Sequence, residues 1–251
     1  MAAIKQLGLI GYPLSHSFSK RYFAEKFVNE AIPGWNYDLF PLESIEQFPS
    51  LIQQANFVGL NVTIPYKEQV IPYLDEIDTA AAEIGAVNTI KFINGKLKGY
   101  NTDVYGFEQS LRGFITREAV SVPKQALVLG TGGAAKAVVY VLGKMGIKVQ
   151  MVSRTGKANG LAYEELTGNN IGDYQLIVNT TPLGMAPNID AAPNIPYSEL
   201  TKAHLCYDLV YNPEKTVFLT RGEERTCPIK NGLEMLVLQA EKSWEIWNAI
   251  A

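Results

Sequence analysis

Residues 128–137 read VLGTGGAAKA and place Gly130, Gly132 and Gly133 between an apolar run and a helical pattern. The preceding letters ALVLG are typical of a buried strand, and AAKAVVYVLGKMG has apolar residues at helical spacing. Free N–H groups and the dipole at the start of such a helix favour an anion. The stretch therefore predicts a mononucleotide-binding α/β fold, with an ordinary strand-to-helix connection as the alternative. It departs from GxGxxG because Ala135 occupies the usual place of the third glycine.

The strand that follows this helix indicates which dinucleotide is bound. NAD-binding units usually end that strand with an acidic residue, which bonds the ribose hydroxyls and repels a 2′-phosphate. Here the strand IKVQMVSR ends on Ser153 and Arg154, and Arg154 with Lys157 would supply two cations for a phosphate. The pattern favours NADP over NAD, with a solvated surface arginine as the alternative.

Strand and helix patterns alternate on both sides of the glycine turn. Before it, KQLGLIG, WNYDLF and FVGLNVT read as strands, and FSKRYFAEKFVNE, SIEQFPSLIQQA and DEIDTAAAEIG read as helices. The two runs around Asn94-Gly95 predict a β-hairpin, and a helix is expected near residues 104–112. After the turn, YEELTG reads as a short helix, and YQLIVNTTP and HLCYDLVY read as strands. The stretch GLEMLVLQAEKSWEIWNAI, residues 232–250, predicts a long amphipathic helix packed by Trp244 and Trp247.

This alternation predicts an α/β fold of two arrays, in which helices cover both faces of a parallel sheet. A chain of 251 residues is long enough for one large domain or two modest ones. The first array closes near residue 101, and the second contains the glycine turn.

Composition limits the kind of partner. The net charge is −3 and only 19% of residues are charged, which disfavours a broad surface for nucleic acid or an acidic membrane. The first apolar run is broken by Gly and Pro and is too short for a signal sequence or a membrane span, so we expect a cytoplasmic protein. Cys206 and Cys227 lack a CxxC spacing, and His16 lies far from His204 in the sequence, so no metal site is predicted.

Polar residues recur where the strands of the first array should end. The stretch GLNVTIPYKEQ, residues 59–69, reads as a buried strand that runs into a helix, and it places Asn61, Thr63 and Lys67 at that junction. Parallel α/β sheets bind ligands at the carboxyl ends of their strands, so this repetition indicates a ligand site. Taken singly, each residue could instead form a turn or a helix cap. The other polar strand ends are Ser15 and Ser17 of SHS, Asn88 of GAVNTI, and Asn101 and Asp103 of GYNTD.

Nine motifs, in this order, together resemble the shikimate dehydrogenases over nearly the whole chain: SHS, NVTIPYK, GAVNT, GYNTD, GTGGAAKA, SRT, NTTPLGM, YDLVYNP and NGLEMLVLQA. The resemblance implies two α/β domains with a cleft between them: a substrate domain with a mainly parallel sheet, formed by residues 1–101 and 238–251, and a Rossmann-like NADP-binding domain, formed by residues 102–237. It also implies reversible, NADP-dependent reduction of 3-dehydroshikimate to shikimate, a step of chorismate and aromatic amino-acid biosynthesis. The implied partner is this small molecule alone, with no nucleic acid and no membrane. The protein is expected to be a monomer or a homodimer.

The resemblance also assigns roles to individual residues. Lys67 and Asp103 are similar to the family's catalytic pair. The implied substrate-binding residues are Ser15, Ser17, Asn61, Thr63, Asn88, Tyr211 and Gln239. The implied cofactor-binding residues are Gly130, Gly132, Gly133, Ala134, Ser153, Arg154, Thr155, Thr180, Leu209, Gly232 and Met235.

The chemistry of this reaction accounts for a lysine at the strand end. Hydride that reaches a ketone carbon leaves negative charge on the oxygen, and a proton donor within about 3 Å stabilises that transition state. Lys67 as an ammonium is such a donor, and the carboxylate of Asp103 would favour its charged form. At the start of a helix, a lysine with no such role would be disfavoured by the dipole.

Three departures from the family pattern bear on the cofactor contacts more than on the reaction. Ser153 stands where many members have Asn, Leu209 stands where Met is common, and the basic segment after Arg154 is one residue short. One alternative is a quinate/shikimate dehydrogenase that uses NAD or NADP. Another is a non-catalytic nucleotide-sensing homologue, although the presence of both Lys67 and Asp103 argues against it.

Overall fold

The computed structural model describes residues 4–15, 17–156 and 160–249, apart from the side chain of Asn169. The chain divides into two compact units. The first unit comprises Met1–Thr102 and Ala240–Ala251, and the second comprises Asp103–Gln239. Both are α/β structures, as the alternating patterns predict.

The first unit contains one mixed sheet of six strands. The strand order is β2-β1-β3-β5-β6-β4, in which β1 pairs in parallel with β2 and β3, and β5 runs antiparallel to β3 and β6. Most of these pairings are parallel, and the antiparallel ones come from the hairpin. The elements are β1 (Lys5–Gly11), α1 (Phe18–Asn29), β2 (Trp35–Pro41), α2 (Phe48–Ile52), β3 (Phe57–Val62), β4 (Glu76–Ile77), α3 (Thr79–Ile84), β5 (Thr89–Ile93) and β6 (Lys96–Tyr100).

The hairpin predicted from Asn94-Gly95 is confirmed and determines which residues share an edge of this sheet. Both turn residues have positive φ, 50° and 79°, the conformation that a two-residue hairpin of this type requires. Because β5 is antiparallel to β3, the residues before β5 and after β6 lie at the same edge as the carboxyl ends of β1 and β3. One edge therefore collects the polar strand ends of the first unit.

Three helices of the first unit are shorter than predicted or absent. Glu76–Ile77 pairs with β6 as a strand, and α3 starts only at Thr79 because the Asp78 side chain accepts a hydrogen bond from the Ala81 N–H at 3.0 Å. The segment SIEQFPSLIQQA begins with a 3₁₀ turn, and its α-helix ends at Ile52. Residues 64–70, predicted to start a helix, form consecutive turns.

The second unit contains a parallel sheet with the order β9-β8-β7-β10-β11-β12. This is the doubly wound order in which the chain switches direction beside the first strand, here between β7 and β10. Sequence patterns missed the short elements β9, α6, α7 and β12. The elements are α4 (Asp103–Arg117), β7 (Gln125–Leu129), α5 (Gly133–Lys144), β8 (Lys148–Ser153), β9 (Leu161–Ala162), α6 (Gly168–Ile171), β10 (Leu176–Asn179), β11 (Leu205–Asp208), α7 (Val217–Glu224), β12 (Ile229–Lys230) and α8 (Leu233–Asn248).

The last helix, α8, begins in the second unit and ends in the first. Trp247 is buried and its indole N–H donates to the Ile90 carbonyl at 3.0 Å. Trp244 is half-buried and meets Trp35 edge-on, with 4.8 Å between ring centroids. The prediction that these two tryptophans pack the helix is confirmed.

Replacing Gly59 with alanine should destabilise the protein by about 1–3 kcal/mol, because a methyl group at this position would overlap the indole ring of Trp247. The matched control is Gly143→Ala in α5, where an added methyl group meets no atom within 4 Å. That change should be neutral or slightly stabilising, since alanine favours a helix. Urea unfolding of both variants measures the difference, and equal stabilities would refute this account of the Trp247 packing.

Candidate active site

The carboxyl edge of the first sheet carries the serines and threonine predicted to bind substrate. Ser15 lies exposed after β1, and the half-buried Ser17 caps α1 by accepting a hydrogen bond from the Ser19 N–H at 3.3 Å. Thr63 follows β3. The Thr63 methyl group lies so close to Gly11 that a side chain on that glycine would overlap it. Ser17 therefore has the capping role that its sequence position also suggested.

Lys67 lies in the turns that follow β3 and its side chain is half-buried. The Lys67 carbonyl accepts a hydrogen bond from the Val87 N–H at 2.7 Å, and Val87 is fully buried in the core. The Val62 N–H donates to the Asn88 carbonyl at 2.8 Å. The backbone that carries Lys67 is thus tied to the segment that carries Asn88.

A buried polar network lies behind this edge. The Asn61 amide donates to the hydroxyls of Thr89 at 3.2 Å and Ser243 at 3.1 Å, and its oxygen accepts from the Tyr37 hydroxyl at 2.8 Å. Ser243 also lies 2.8 Å from the Thr89 hydroxyl. Asn61 is held by three side chains, so the role that its position supports is to brace the edge.

The same network holds Asn88. The Asn88 oxygen accepts from the Thr102 N–H at 2.7 Å, and its amide donates to the Thr102 hydroxyl at 3.0 Å. Thr89, Thr102 and Ser243 were not predicted as part of the site. Ser243 gave one usable signal, because it is a small polar residue on the face of α8 that also carries Ala240 and Trp247, both of which are buried.

Asp103 directly follows Thr102 and is the first residue of α4. It is buried. Asn101, two residues earlier, donates to the Ala86 carbonyl at 2.9 Å. The buried Asn101 oxygen has no hydrogen-bond partner among the residues that the structure describes.

The glycine turn of the second unit has the geometry of an anion cradle. Gly130 has φ of +113°, and a side chain there would come within 2.6 Å of the Thr180 hydroxyl. Gly132 caps α5 without a side-chain bond, and a methyl group on it would meet open space. Gly133 and Ala134 form the first helical turn, which contains no acidic residue. These features fit the pyrophosphate of a dinucleotide at the helix N-terminus.

The residues at the end of β8 fit the adenosine phosphate of such a dinucleotide. Arg154 and Thr155 are exposed after the strand, so the guanidinium is accessible to a phosphate. The buried Ser153 hydroxyl has no partner within the described part of the chain. Lys157, the second predicted cation, lies outside the described residues.

The remaining predicted residues of the second unit lie on the loop after β11, directly before α8 and on α8. A side chain on Gly232 would overlap the Leu209 carbonyl, so the absence of a Cβ lets the start of α8 approach that loop. Leu209 and Met235 pack in the same hydrophobic cluster. Tyr211 and Gln239 are half-buried, and the Gln239 amide donates to the Leu236 carbonyl at 2.9 Å.

Asp208 is a fully buried carboxylate at the end of β11 that the sequence did not identify. One oxygen accepts from the Asn179 amide at 2.9 Å and the Val210 N–H at 3.0 Å, and the other accepts from the Thr216 hydroxyl at 2.6 Å. Burial raises the pKa of Asp208 from 3.8 to about 6, against the opposing effect of these hydrogen bonds.

This raised pKa predicts a pH-dependent stability. The folded protein binds the Asp208 proton more tightly than the unfolded chain, so the stabilisation by this group is complete below pH 4 and is lost as the pH rises to about 6. Relative to Asp208→Asn, the wild type should lose about 3 kcal/mol of unfolding free energy over that range. Urea titrations at intervals of half a pH unit measure the difference, and a constant difference would contradict the prediction.

Within the described residues, no helix is long and apolar enough to cross a membrane. The same residues contain no group of three or more His, Cys, Asp or Glu side chains arranged to hold a metal ion.

A parallel sheet in the doubly wound order, with a glycine turn at its switch point, defines the Rossmann-like class for the second unit. The first unit adds a polar edge on a mixed α/β sheet. Together they define the class as an α/β protein of two units, one of which has a dinucleotide-binding fold.

Comparison with known proteins identifies the family within this class. The family model for the shikimate dehydrogenase substrate binding domain matches residues 9–90. A shikimate dehydrogenase (NADP(+)) from Desulforamulus reducens is 39% identical, over 96% of this chain and 88% of the relative. The chain belongs to the shikimate dehydrogenase family.

Solved structures agree with this assignment. Shikimate 5-dehydrogenase from Thermus thermophilus, in complex with NADP(H) and shikimate, is 28% identical with a TM-score of 0.85, over 98% of this chain and 94% of that one. Quinate dehydrogenase from Corynebacterium glutamicum, in complex with NAD, is 26% identical with a TM-score of 0.88, over 99% of this chain and 95% of that one.

Proposed function

We propose that this protein catalyses the NADP-dependent, reversible reduction of 3-dehydroshikimate to shikimate. The observation that carries the proposal is the 39% identity to an NADP-dependent shikimate dehydrogenase over nearly the full chain. The shikimate and NADP(H) bound in the Thermus thermophilus structure support the same pair of ligands. The protein is thus an oxidoreductase that acts on a secondary alcohol.

The proposed substrate domain comprises residues 1–101 and 238–251, which differs from the first unit by one residue at Thr102 and by two residues on α8. Ser15 and Ser17 would bind the substrate carboxylate through hydroxyl groups near the end of β1. Thr63 and Asn88 would bind ring hydroxyls, and the network behind Asn88 supports this because it fixes the amide orientation. Asn61 supports the edge, and Tyr211 and Gln239 complete the proposed substrate contacts.

Lys67 and Asp103 are the proposed catalytic pair. The Lys67 ammonium would donate a proton to the carbonyl oxygen of 3-dehydroshikimate as negative charge develops there, and would take it back in the reverse direction. Asp103 would accept a hydrogen bond from a substrate hydroxyl.

The second unit is proposed as the NADP domain. When bound, NADPH supplies the hydride. Gly132, Gly133 and Ala134 would bind the pyrophosphate through backbone N–H groups at the start of α5. Gly130, whose own N–H donates to the Val152 carbonyl at 2.8 Å, would let the backbone turn close to the ligand. Ser153, Arg154 and Thr155 would bind the adenosine 2′-phosphate. The proposed contacts to the ribose and nicotinamide are Thr180, Leu209, Gly232 and Met235.

The direct test is NADP⁺ reduction followed at 340 nm with shikimate added to the purified protein. We expect shikimate-dependent formation of NADPH, and inhibition when NADPH accumulates. A folded protein that binds NADP⁺ but reduces none of it in the presence of shikimate would contradict the proposed reaction and favour the nucleotide-sensing alternative.

Quinate with NAD is the second candidate, because the quinate dehydrogenase structure has the same fold as this chain. The end of β8 disfavours NAD, since Ser153 and Arg154 replace the acidic residue that NAD-binding units use there. Steady-state kinetics with both acids and both cofactors distinguish the candidates. A higher kcat/KM for quinate or NAD would overturn the assignment to shikimate and NADP.

The proposed partner is the small-molecule substrate alone, without nucleic acid or membrane, and the proposed location is the cytoplasm. Either a monomer or a homodimer is compatible with this function. Light scattering of the purified protein distinguishes the two states.

A further inference from the structure

The buried carboxylate of Asp208 joins two loops that carry proposed cofactor contacts. Of the proposed cofactor contacts, Thr180 lies on the loop after β10 and Leu209 lies on the loop after β11, which also carries Tyr211, a proposed substrate contact. We propose that Asp208 is a positioning residue of the cofactor site, which fixes both loops in the conformation that takes the nicotinamide half of NADPH. The inference rests on the proposed function, because that function assigns the loops their ligand.

Asp208 and its first hydrogen-bond partner lie at the paired ends of two neighbouring strands. Asn179 and Asp208 are the last residues of β10 and β11 and are register partners. The Asp208 carboxylate accepts from the Asn179 amide on one strand, and from the Val210 N–H on the loop of its own strand. Its second oxygen accepts from Thr216, whose hydroxyl also accepts from the Leu219 N–H at the start of α7. Both ends of the loop after β11 are therefore fixed to one carboxylate.

Asn179 extends the same connection to the loop after β10. The Asn179 oxygen accepts from the Thr181 N–H at 3.0 Å and from the Thr181 hydroxyl at 2.6 Å. The adjacent Thr180 donates from its backbone at 2.9 Å and from its hydroxyl at 2.7 Å to the Leu129 carbonyl, next to the glycine turn. These hydrogen bonds, together with the peptide bond between Thr180 and Thr181, connect Asp208 to Leu129, the residue that precedes the cradle.

Stability alone does not explain a carboxylate at this position. The group is desolvated and its hydrogen bonds come from two side chains and one backbone N–H, all of them neutral. Burying a carboxylate with no cation among these hydrogen-bond partners is unfavourable, so the group is kept against a desolvation penalty. An ionised carboxylate accepts several bonds at once and holds them tighter than a neutral group, which suits the fixing of loops.

The proposal predicts different effects on the binding of the two halves of the cofactor. The adenosine 2′-phosphate is assigned to Arg154, which follows β8, and β7 lies between β8 and the strand β10 whose loop Asp208 fixes. A change at Asp208 should therefore weaken the binding of whole NADPH but not of adenosine 2′,5′-bisphosphate, which lacks the nicotinamide. A general loss of folding would affect both ligands alike.

The experiment uses Asp208→Asn and Thr216→Val, with Thr216→Ser as the conservative rescue that keeps the hydroxyl. Dissociation constants for NADPH and for adenosine 2′,5′-bisphosphate are measured by calorimetry, and kcat is measured with shikimate. In the first two variants we expect roughly fivefold weaker NADPH binding and roughly fivefold lower kcat, because such indirect couplings change a site by about 2- to 30-fold. Binding of the bisphosphate and all constants of Thr216→Ser should stay within about twofold of the wild type.

Val141→Ala, in the buried core of α5, controls for lost stability without touching the network. It should lower the melting temperature and leave both affinities unchanged. Equal weakening of NADPH and bisphosphate binding, or an unchanged kcat in folded Asp208→Asn and Thr216→Val, would overturn the proposal. A wild type that binds NADPH but does not oxidise shikimate would instead count against the proposed reaction, and the comparison of the two ligands would still test Asp208.

Discussion

Lys67→Ala should lower kcat by roughly 10²- to 10⁴-fold while the KM for shikimate changes only a few-fold. The ammonium of Lys67 would give its proton only as charge develops on the carbonyl oxygen, so its interaction energy is realised in the transition state. The backbone of Lys67 is fixed through its carbonyl by Val87, and this bond survives the loss of the side chain. The variant should therefore fold normally.

Ser15→Ala is the matched control on the same edge of the sheet. It removes a hydroxyl assigned to the substrate carboxylate, which is bound equally in ground and transition states, so it should mainly raise KM. Steady-state kinetics with shikimate measure both variants, after thermal unfolding has shown that each is folded. A near-normal kcat in folded Lys67→Ala would show that water or another group protonates the product.

Arg154→Asp should raise the KM for NADPH at least tenfold and leave the KM for NADH nearly unchanged. The change removes a charge-assisted contact of about 1.5–3 kcal/mol and adds repulsion between the new carboxylate and the 2′-phosphate. Because Arg154 is exposed at the end of β8, its replacement should not disturb the core. NADH has no 2′-phosphate, so neither effect applies to it.

Lys148→Glu controls for the change of net charge, because Lys148 is exposed at the opposite end of the same strand. It should leave the KM for both cofactors unchanged, and its salt dependence should match that of the wild type. Equal losses with NADPH and NADH in Arg154→Asp would contradict the assignment of Arg154 to the 2′-phosphate.

Local signals in the sequence predicted most of the fold. The glycine turn after ALVLG predicted the doubly wound unit, because strand, turn and helix each have their own short-range signature. Asn94-Gly95 predicted the hairpin, since few other residue pairs adopt two positive φ angles. Elements that gain stability mainly from pairing were missed or misassigned. Glu76–Ile77 lies within a helical pattern, and its pairing with β6 makes it a strand.

In the candidate site too, local sequence signals identified some residues, and only the fold identified the others. Residues such as Ser15, Thr63 and Lys67 could be proposed from sequence because polar groups at strand ends form motifs that resemble those of a family. The residues that support them could not. Asp208 and Thr216 lie in segments whose letters indicate only a strand and a turn, and their mutual hydrogen bond follows from the loop conformation between them.

The sequence by itself determined the kind of each long element, the order of the arrays and the polar residues at the strand ends, because these depend on neighbours within a few positions. Only the tertiary structure decided which distant groups meet. Ser243 bonds the Thr89 hydroxyl across 154 positions of the chain, and periodicity could place it on the buried face of α8 without naming its partner. Such contacts depend on how helices and strands pack, and a buried hydroxyl or carboxylate must find its hydrogen bonds wherever that packing puts them.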